Sequence, residues 1–177
     1  MISGRIIDLR PVRASDFILL RQWEHDPQID RWMATTATAI DARESHEQEF
    51  ERLLRTPRVK LLAIQTKTTT VVGFVRLNDL DLTARKATVR LFLAPDMHGQ
   101  GYATDALHTL LGFCFHELGL HRIGLVVRED NTRAIEVYKR LGFVIEGCER
   151  DAVWSEGRWI NFLHMGLLDH EMREELE

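Results

Sequence analysis

The segment Leu91 to Thr104, LeuPheLeuAlaProAspMetHisGlyGlnGlyTyrAlaThr, has residue types suited to holding a polyanion. An apolar run breaks at Pro95, loops through Gly99 and Gly101, and opens into residues whose apolar positions recur at helical spacing. Free amides at a helix start point into such a loop, and the helix dipole favours negative charge there. Glycines let the backbone approach a phosphate with no Cβ in the way. Two common phosphate turns fit poorly. No Gly-Lys-Ser/Thr follows four residues after a first glycine, so this is not a P-loop. A dinucleotide fingerprint asks for Gly or Ala three residues after Gly101, where Thr104 stands, and its strand-turn-helix unit usually comes early in the chain.

Further along, Asn131-Thr-Arg-Ala134-Ile135-x-x-Tyr138-x-Arg140-x-Gly142-Phe143 places a small residue, a phenol and a Gly-Phe pair at fixed spacing. This segment and His98-Gly99-Gln100-Gly101-Tyr102-Ala103 resemble, in order, the two signatures of the GNAT acetyltransferases. These are written Gln/Arg-x-x-Gly-x-Gly/Ala and Asn-x-x-Ala-x-x-x-Tyr-x-x-x-Gly-Phe; the first departs only at His98. The likeness is strongest over Ala87 to Leu167, nearly half the chain, and is closest to the polyamine and ribosomal-protein N-terminal acetyltransferase branch. It implies an α/β (α+β) fold: a mixed, mostly antiparallel central sheet flanked by helices, with a splayed pair of parallel strands holding acyl-CoA. It also implies direct transfer of acetyl from acetyl-CoA, a cosubstrate, to a primary amine of a small molecule or a peptide N-terminus.

The resemblance assigns roles residue by residue. Backbone groups of Leu91, Phe92 and Leu93 would hydrogen-bond pantetheine as an added strand, which accounts for pairing stopping at Pro95. The turn of His98, Gly99, Gln100, Gly101, Tyr102 and Ala103 would cradle the pyrophosphate. Asn131 and Ala134 would border the cofactor, and Tyr138 would be both a cofactor contact and the general acid that protonates the departing thiolate. The base is open. Relatives carry a glutamate where this chain has Thr88, so Asp79 or a water chain would take the amine proton, or the amine would bind as its small neutral fraction. Cys114 invites an acetyl-cysteine route, but it shares an apolar face with Leu107, Leu110, Leu111 and Leu118, where free cysteine is core. His121 and His164 lack metal-ligand spacing and read as structural, and no metal is expected. Arg133, Lys139 and Arg140 offer positive charge near the anionic cofactor, although a solvated helix face accounts for at least one of them.

The elements that must position these groups follow from periodicity and caps. A strand is expected over 5–12, a helix from Ser15-Asp16 to about His25, and a short turn carrying Ile29, Trp32 and Met33. A loop over 34–39 and a helix over 41–55, begun by Asp41 and Glu44, come next. Runs at 59–65, 71–77 and 87–93 read as antiparallel strands. The helix from Gly101 ends at Gly119. A strand at 123–127, a helix at 132–141 and strands at 143–145 and 159–167 complete the chain. The change from hairpins to alternating strands and helices places a crossover unit at 87–127.

With 177 residues, 23 basic and 27 acidic side chains and no basic tract, the chain reads as one domain, 1–177, with no nucleic-acid partner. Its short apolar runs and isolated Cys114 and Cys148 read as a cytoplasmic protein with no membrane partner. Late strands rich in Trp, Phe and Leu offer a surface for homo-oligomers. The acceptor pocket is expected near Trp23, Trp32, Met33, Trp154 and Trp159. Polyamine-specific relatives carry carboxylates where residues 34–39 read Ala-Thr-Thr-Ala-Thr-Ala, and Trp32-Met33 resembles the amino-sugar branch, so polyamine, peptide and amino-sugar acceptors stay open. Thr88 and His98 also leave open an acyl-CoA-binding sensor without turnover.

Overall fold

The computed structural model describes residues 1–24, 26, 29, 32 and 55–173. Its strands are β1 (Ile2–Ser3), β2 (Ile7–Pro11), β3 (Lys60–Thr66), β4 (Val71–Asp81), β5 (Lys86–Leu93), β6 (Arg122–Arg128), β7 (Val144–Ser155) and β8 (Arg158–Leu168). They form a single 8-stranded sheet in the order β1-β2-β3-β4-β5-β6-β8-β7. Neighbours are antiparallel except β5 and β6, which run parallel and are joined through α2 (Tyr102–Gly112). The crossover expected at 87–127 is therefore present. The loop at 34–39, Met33 and all but the last residue of the helix expected at 41–55 lie outside the described residues.

Alternation along the central strands divides the core between two faces. On one face Val75, Leu77 and Val89 meet Leu107, Leu110, Leu111 and Cys114 of the crossover, and α3 (Thr132–Leu141) adds Ile135 and Leu141. On the other, Phe74 and Ala63 pack under Leu20 of α1 (Phe17–Glu24), with the Phe74 ring 5.6 Å from Trp23 and 5.7 Å from Phe92. Full burial of each such aliphatic or aromatic side chain contributes about 2 kcal/mol before its ordering entropy is subtracted.

Two elements differ from their sequence-based expectation. After Gly112 the crossover helix widens into a π turn, Phe113–Glu117. Leu118 then bonds back to Phe113 before Gly119 adopts φ 64° and ends the element. β7 runs ten residues beyond the stretch expected at 143–145, because Glu156 and Gly157, both at positive φ, close a two-residue hairpin onto β8. Its outer positions are charged and exposed, as an edge strand's are, so alternation could not reveal it.

One carboxylate ties the N-terminus to the crossover. Asp105, in the first turn of α2, accepts hydrogen bonds from the backbone N–H of Arg5, Ile6 and Ile7 at 3.1, 2.7 and 3.0 Å, and is buried. It holds the β1–β2 corner beside the glycine turn. Asp105→Ala would strand these amides, so a loss of about 3 kcal/mol is expected. It should appear as a lower urea midpoint at unchanged m-value; an unchanged midpoint would show that the clamp carries no stability.

Candidate active site

β5 and β6 pair only at Lys86↔Arg122, Ala87↔Ile123 and Thr88↔Gly124, then diverge. The divergence opens a cleft of about 810 Å³. Its walls are Val89 to Leu93 on one side and Val126 and Val127 on the other; Pro95, His98 and Ala103 close the glycine-turn end. Asp130 to Ala134, Val137 and Tyr138 form the α3 side, and Ile29, Trp32, Glu149, Phe162 and His164 line the remainder. The outer edge of β5 meets β4 as far as Leu93↔Gly73, so the edge that faces the cleft keeps its backbone groups unpaired by any described strand. Such groups need a partner.

The turn has the conformation its glycines predict. Gly99 and Gly101 lie at φ 80° and 82°, and Gly101 is the N-cap residue of α2, leaving the first-turn amides without a side-chain acceptor. A Cβ on Gly99 would stand 3.1 Å from Nη2 of Arg133, which places that guanidinium against the turn. Lys139 and Arg140 instead sit on the exposed face of α3. Burial, and then the charge on Arg133, push the His98 imidazole below its ordinary value, so it is neutral at pH 7 in the unliganded chain.

Asn131 has a structural duty beside its expected one: its side chain accepts the N–H of Ala134 at 3.2 Å and caps α3 while lining the cleft. Tyr138 reaches the cleft with its ring 5.7 Å from Phe143, and no described residue hydrogen-bonds its hydroxyl. Burial pushes its phenol up to about 12, with Arg90 pulling the other way. Of the expected contacts, Leu91, Phe92, Leu93, His98, Ala103, Asn131, Ala134 and Tyr138 line the cleft, and Gly99 and Gly101 form the turn behind it. Gln100 and Tyr102 point away: they border a shallower depression with Arg5, Ile6 and Lys67, and Gln100 Nε2 donates to the carbonyl of Asp96 at 3.3 Å.

Other expected groups separate clearly. Asp79, exposed at the β4 bulge, receives a long 3.4 Å contact from Thr88 Oγ1, and neither residue lines the cleft. Cys114 is fully buried in the core and its thiol is pushed up to about 12, which leaves no thiolate to carry an acetyl group. Trp23 is core, whereas Trp154 and Trp159 stack edge to face, exposed, beside the β7–β8 turn. Only Trp32 of the expected aromatic set with a described position lines the cleft. His121 pairs with Asp169 at 3.1 Å, but His164, expected to be structural, stands on the cleft wall with Nε2 3.2 Å from Glu149 Oε2.

Sequence spacing also missed a buried ion pair at the mouth. Arg128, 3% exposed, forms a fork with both oxygens of Asp130 at 2.9 Å, also donates to Ser155 Oγ, and lies 5.5 Å from the Trp32 ring centroid. Arg158 reaches the same carboxylate at 3.3 Å. The Arg128 hydrogen bond, and then charge from Arg128 and Arg158, hold the Asp130 carboxyl below the usual carboxylate range. The short Arg-Glu-Asp spacing was the available signal, since residues two apart on a strand point to the same face.

The sequence profile described as "Acetyltransferase (GNAT) domain" matches residues 7–144. Spermidine N(1)-acetyltransferase of Escherichia coli K12 is 24% identical over 180 residues, covering 97% of this chain and 90% of that protein. The putative ribosomal N-acetyltransferase YdaF of Bacillus subtilis is 31% identical over 103 residues, covering 58% of this chain and 56% of its own. The fold is that of spermidine N-acetyltransferase from Vibrio cholerae, a crystal structure in complex with CoA and spermine. The TM-score is 0.84 at 22% identity, covering 93% of this chain and 96% of that one.

Asp130→Asn leaves the buried Arg128 guanidinium without its carboxylate and should cost about 3 kcal/mol at neutral pH. A carboxyl depressed in the fold contributes fully above the unfolded value near ~4, and the contribution is lost as pH falls through the folded value. Denaturant midpoints of wild type and variant should therefore converge below about pH 4. A gap that stays constant through that range would contradict the pairing.

Proposed function

The chain belongs to the GNAT acetyltransferase family and is an acetyl-CoA-dependent N-acetyltransferase; on that premise we propose that acetyl passes directly, in one ternary complex, to a primary amine, with Tyr138 as general acid. The observation that carries this reading is the parting of β5 and β6 beside a Tyr138 hydroxyl that has no hydrogen-bond partner among the described residues. An extended pantetheine arm would pair with the free edge at Leu91 to Leu93, orienting the thioester as an added strand does. The pyrophosphate would meet the α2 amides at Gly99 to Ala103, with Arg133 alongside.

Attack of the neutral amine on the carbonyl carbon forms the C–N bond, the C–S bond breaks, and the electron pair leaves on sulfur. Tyr138 supplies the proton that makes the free thiol, and the remaining amide-forming nitrogen returns one to the phenolate. A phenol at about 12 holds its proton at neutral pH.

Polyamines are the first acceptor class, supported by spermidine acetyltransferase relatives that align along nearly the whole chain. A peptide N-terminus is the second, supported by the ribosomal relative. One sheet running from β1 to β7 supports a single catalytic domain, and the free thiols Cys114 and Cys148 suit a reducing cytoplasm.

Thiol release from acetyl-CoA, measured against spermidine, spermine, short peptides and glucosamine, tests this reading. Release with one class, and a fall in kcat of about 100-fold or more in Tyr138→Phe with CoA affinity within about threefold, is expected. Binding of acetyl-CoA with no release for any amine would favour a sensor instead. A second expectation concerns pH. A bound pyrophosphate favours charged His98, so CoA binding takes up a proton and tightens as pH falls toward the depressed value of the free chain. Calorimetry should show that proton uptake in wild type and its loss in His98→Gln; equal uptake in both would remove His98 from the cofactor site.

A further inference from the structure

We propose that Glu149 and His164 form the proton-accepting pair of the site, with His164 taking the proton from the incoming ammonium and Glu149 orienting the ring. The inference rests on the acetyl-transfer reading and supplies the base that Thr88 cannot be. Transfer to an amine needs the nitrogen lone pair free, and a primary ammonium at neutral pH must first lose a proton.

Among the described residues, the titratable groups lining the cleft are Arg90 on β5, His98 at the turn, Asp130 and Arg133 at the start of α3, Tyr138 on α3, Glu149 on β7 and His164 on β8. Arginines do not accept protons at neutral pH. Tyr138 already holds its proton. His98 stands under Arg133 at the turn end. Asp130 is locked by the Arg128 fork and Arg158, which lower its basicity. What remains among the described residues is an imidazole with a carboxylate 3.2 Å from its Nε2. In the neutral ring with Nε2–H donated to Glu149, Nδ1 carries the lone pair.

The backbone around the pair is shaped for this contact. His164 lies opposite Val126 of β6 and opposite Gly147 of β7, and Gly147 has open space where a side chain would stand. Glu149 stands diagonally across on the same face. Two irregularities frame it: Glu146 is inserted before Gly147, and residues 150–152 bulge against Asn161 immediately after Glu149. Asn161 secures the bulge, accepting the N–H of Asp151 at 2.9 Å and donating to both oxygens of Glu129. Bulges re-aim side chains, and here the re-aimed one is the carboxylate at the cleft.

The proton balance closes. His164 Nδ1 takes one proton from R–NH3⁺, giving R–NH2 and an imidazolium paired with Glu149. The amine attacks as above, and the half-exposed imidazolium returns its proton to water.

The test is the pH dependence of kcat/KM for the amine, in wild type, His164→Ala and Glu149→Gln, with urea midpoints confirming that each variant is folded. Wild type should lose activity on an acid limb. His164→Ala should fall about 100-fold, lose that limb and regain rate with added imidazole, while CoA affinity stays within about threefold. Glu149→Gln removes the carboxylate that orients the ring, so its kcat/KM should fall about 10-fold with CoA affinity within about threefold. A His164→Ala variant that is active with the wild-type limb, or that raises only the amine KM with the limb unmoved, overturns the base assignment alone. A wild type silent with every amine overturns the acetyl-transfer reading and this one with it.

Discussion

The end of pairing between β5 and β6 at Thr88 and Gly124 is the constraint on which the site depends. A parallel pair inside a sheet normally continues, because each unpaired amide or carbonyl costs free energy if water is excluded from it. Here β5 stays attached to β4 through Leu93, and β6 stays attached to β8 through Arg128↔Phe162. Each strand is therefore held by its outer neighbour while the inner edges diverge. The gap cannot close by a slip of register, since a one-residue shift would turn Val89 and Leu125 out of the core. A cleft with a free strand edge is thus enforced by the packing on either side.

The surrounding features serve that edge. The chain leaves β5, breaks at Pro95 and returns through two glycines, so the amides of α2 open toward the far end of the same cleft. Asp105 fixes the first turn of that helix to the N-terminal corner, while Asn131 caps α3 at the other lip. α3 then needs slightly under two turns to carry the chain from its cap to Tyr138, which places the phenol on the side that faces the gap. The glycine turn, the cap and the phenol are therefore set by helices whose starts are fixed.

Those helix starts are what made much of the site legible in sequence. Gly99, Gly101, Asn131 and Gly142 act locally, through positive φ or a cap, and local chemistry is written in spacing. The contacts that escaped are set by register over long separations. Asp105 meets amides about a hundred residues away, and Arg158 meets Asp130 across the β7–β8 hairpin. The side chains of Gln100 and Tyr102 follow a related rule: a turn that offers backbone to an anion sends its intervening side chains outward, so matching a motif says little about where those side chains point. β7 was truncated in the sequence reading because an exposed edge strand need not alternate.

His164, which reads as structural from its sequence, stands on the cleft wall in the fold for the same physical cause. A histidine in an apolar strand, among Phe162, Leu163 and Met165, carries no spacing to any partner. The bulge at Glu146 decides which residues of β7 share its face: Gly147 stands opposite His164, and Glu149, two residues on, lies on that same face. Were Glu146 paired with His164 instead of bulged out, Glu149 would fall opposite Asn161 and point to the other face. Arg122 pairs with that inserted glutamate and pins it outward, so the irregularity is held by a charge contact. Placement of a carboxylate at the cleft thus depends on one extra residue in an edge strand, where an insertion disturbs the sheet least.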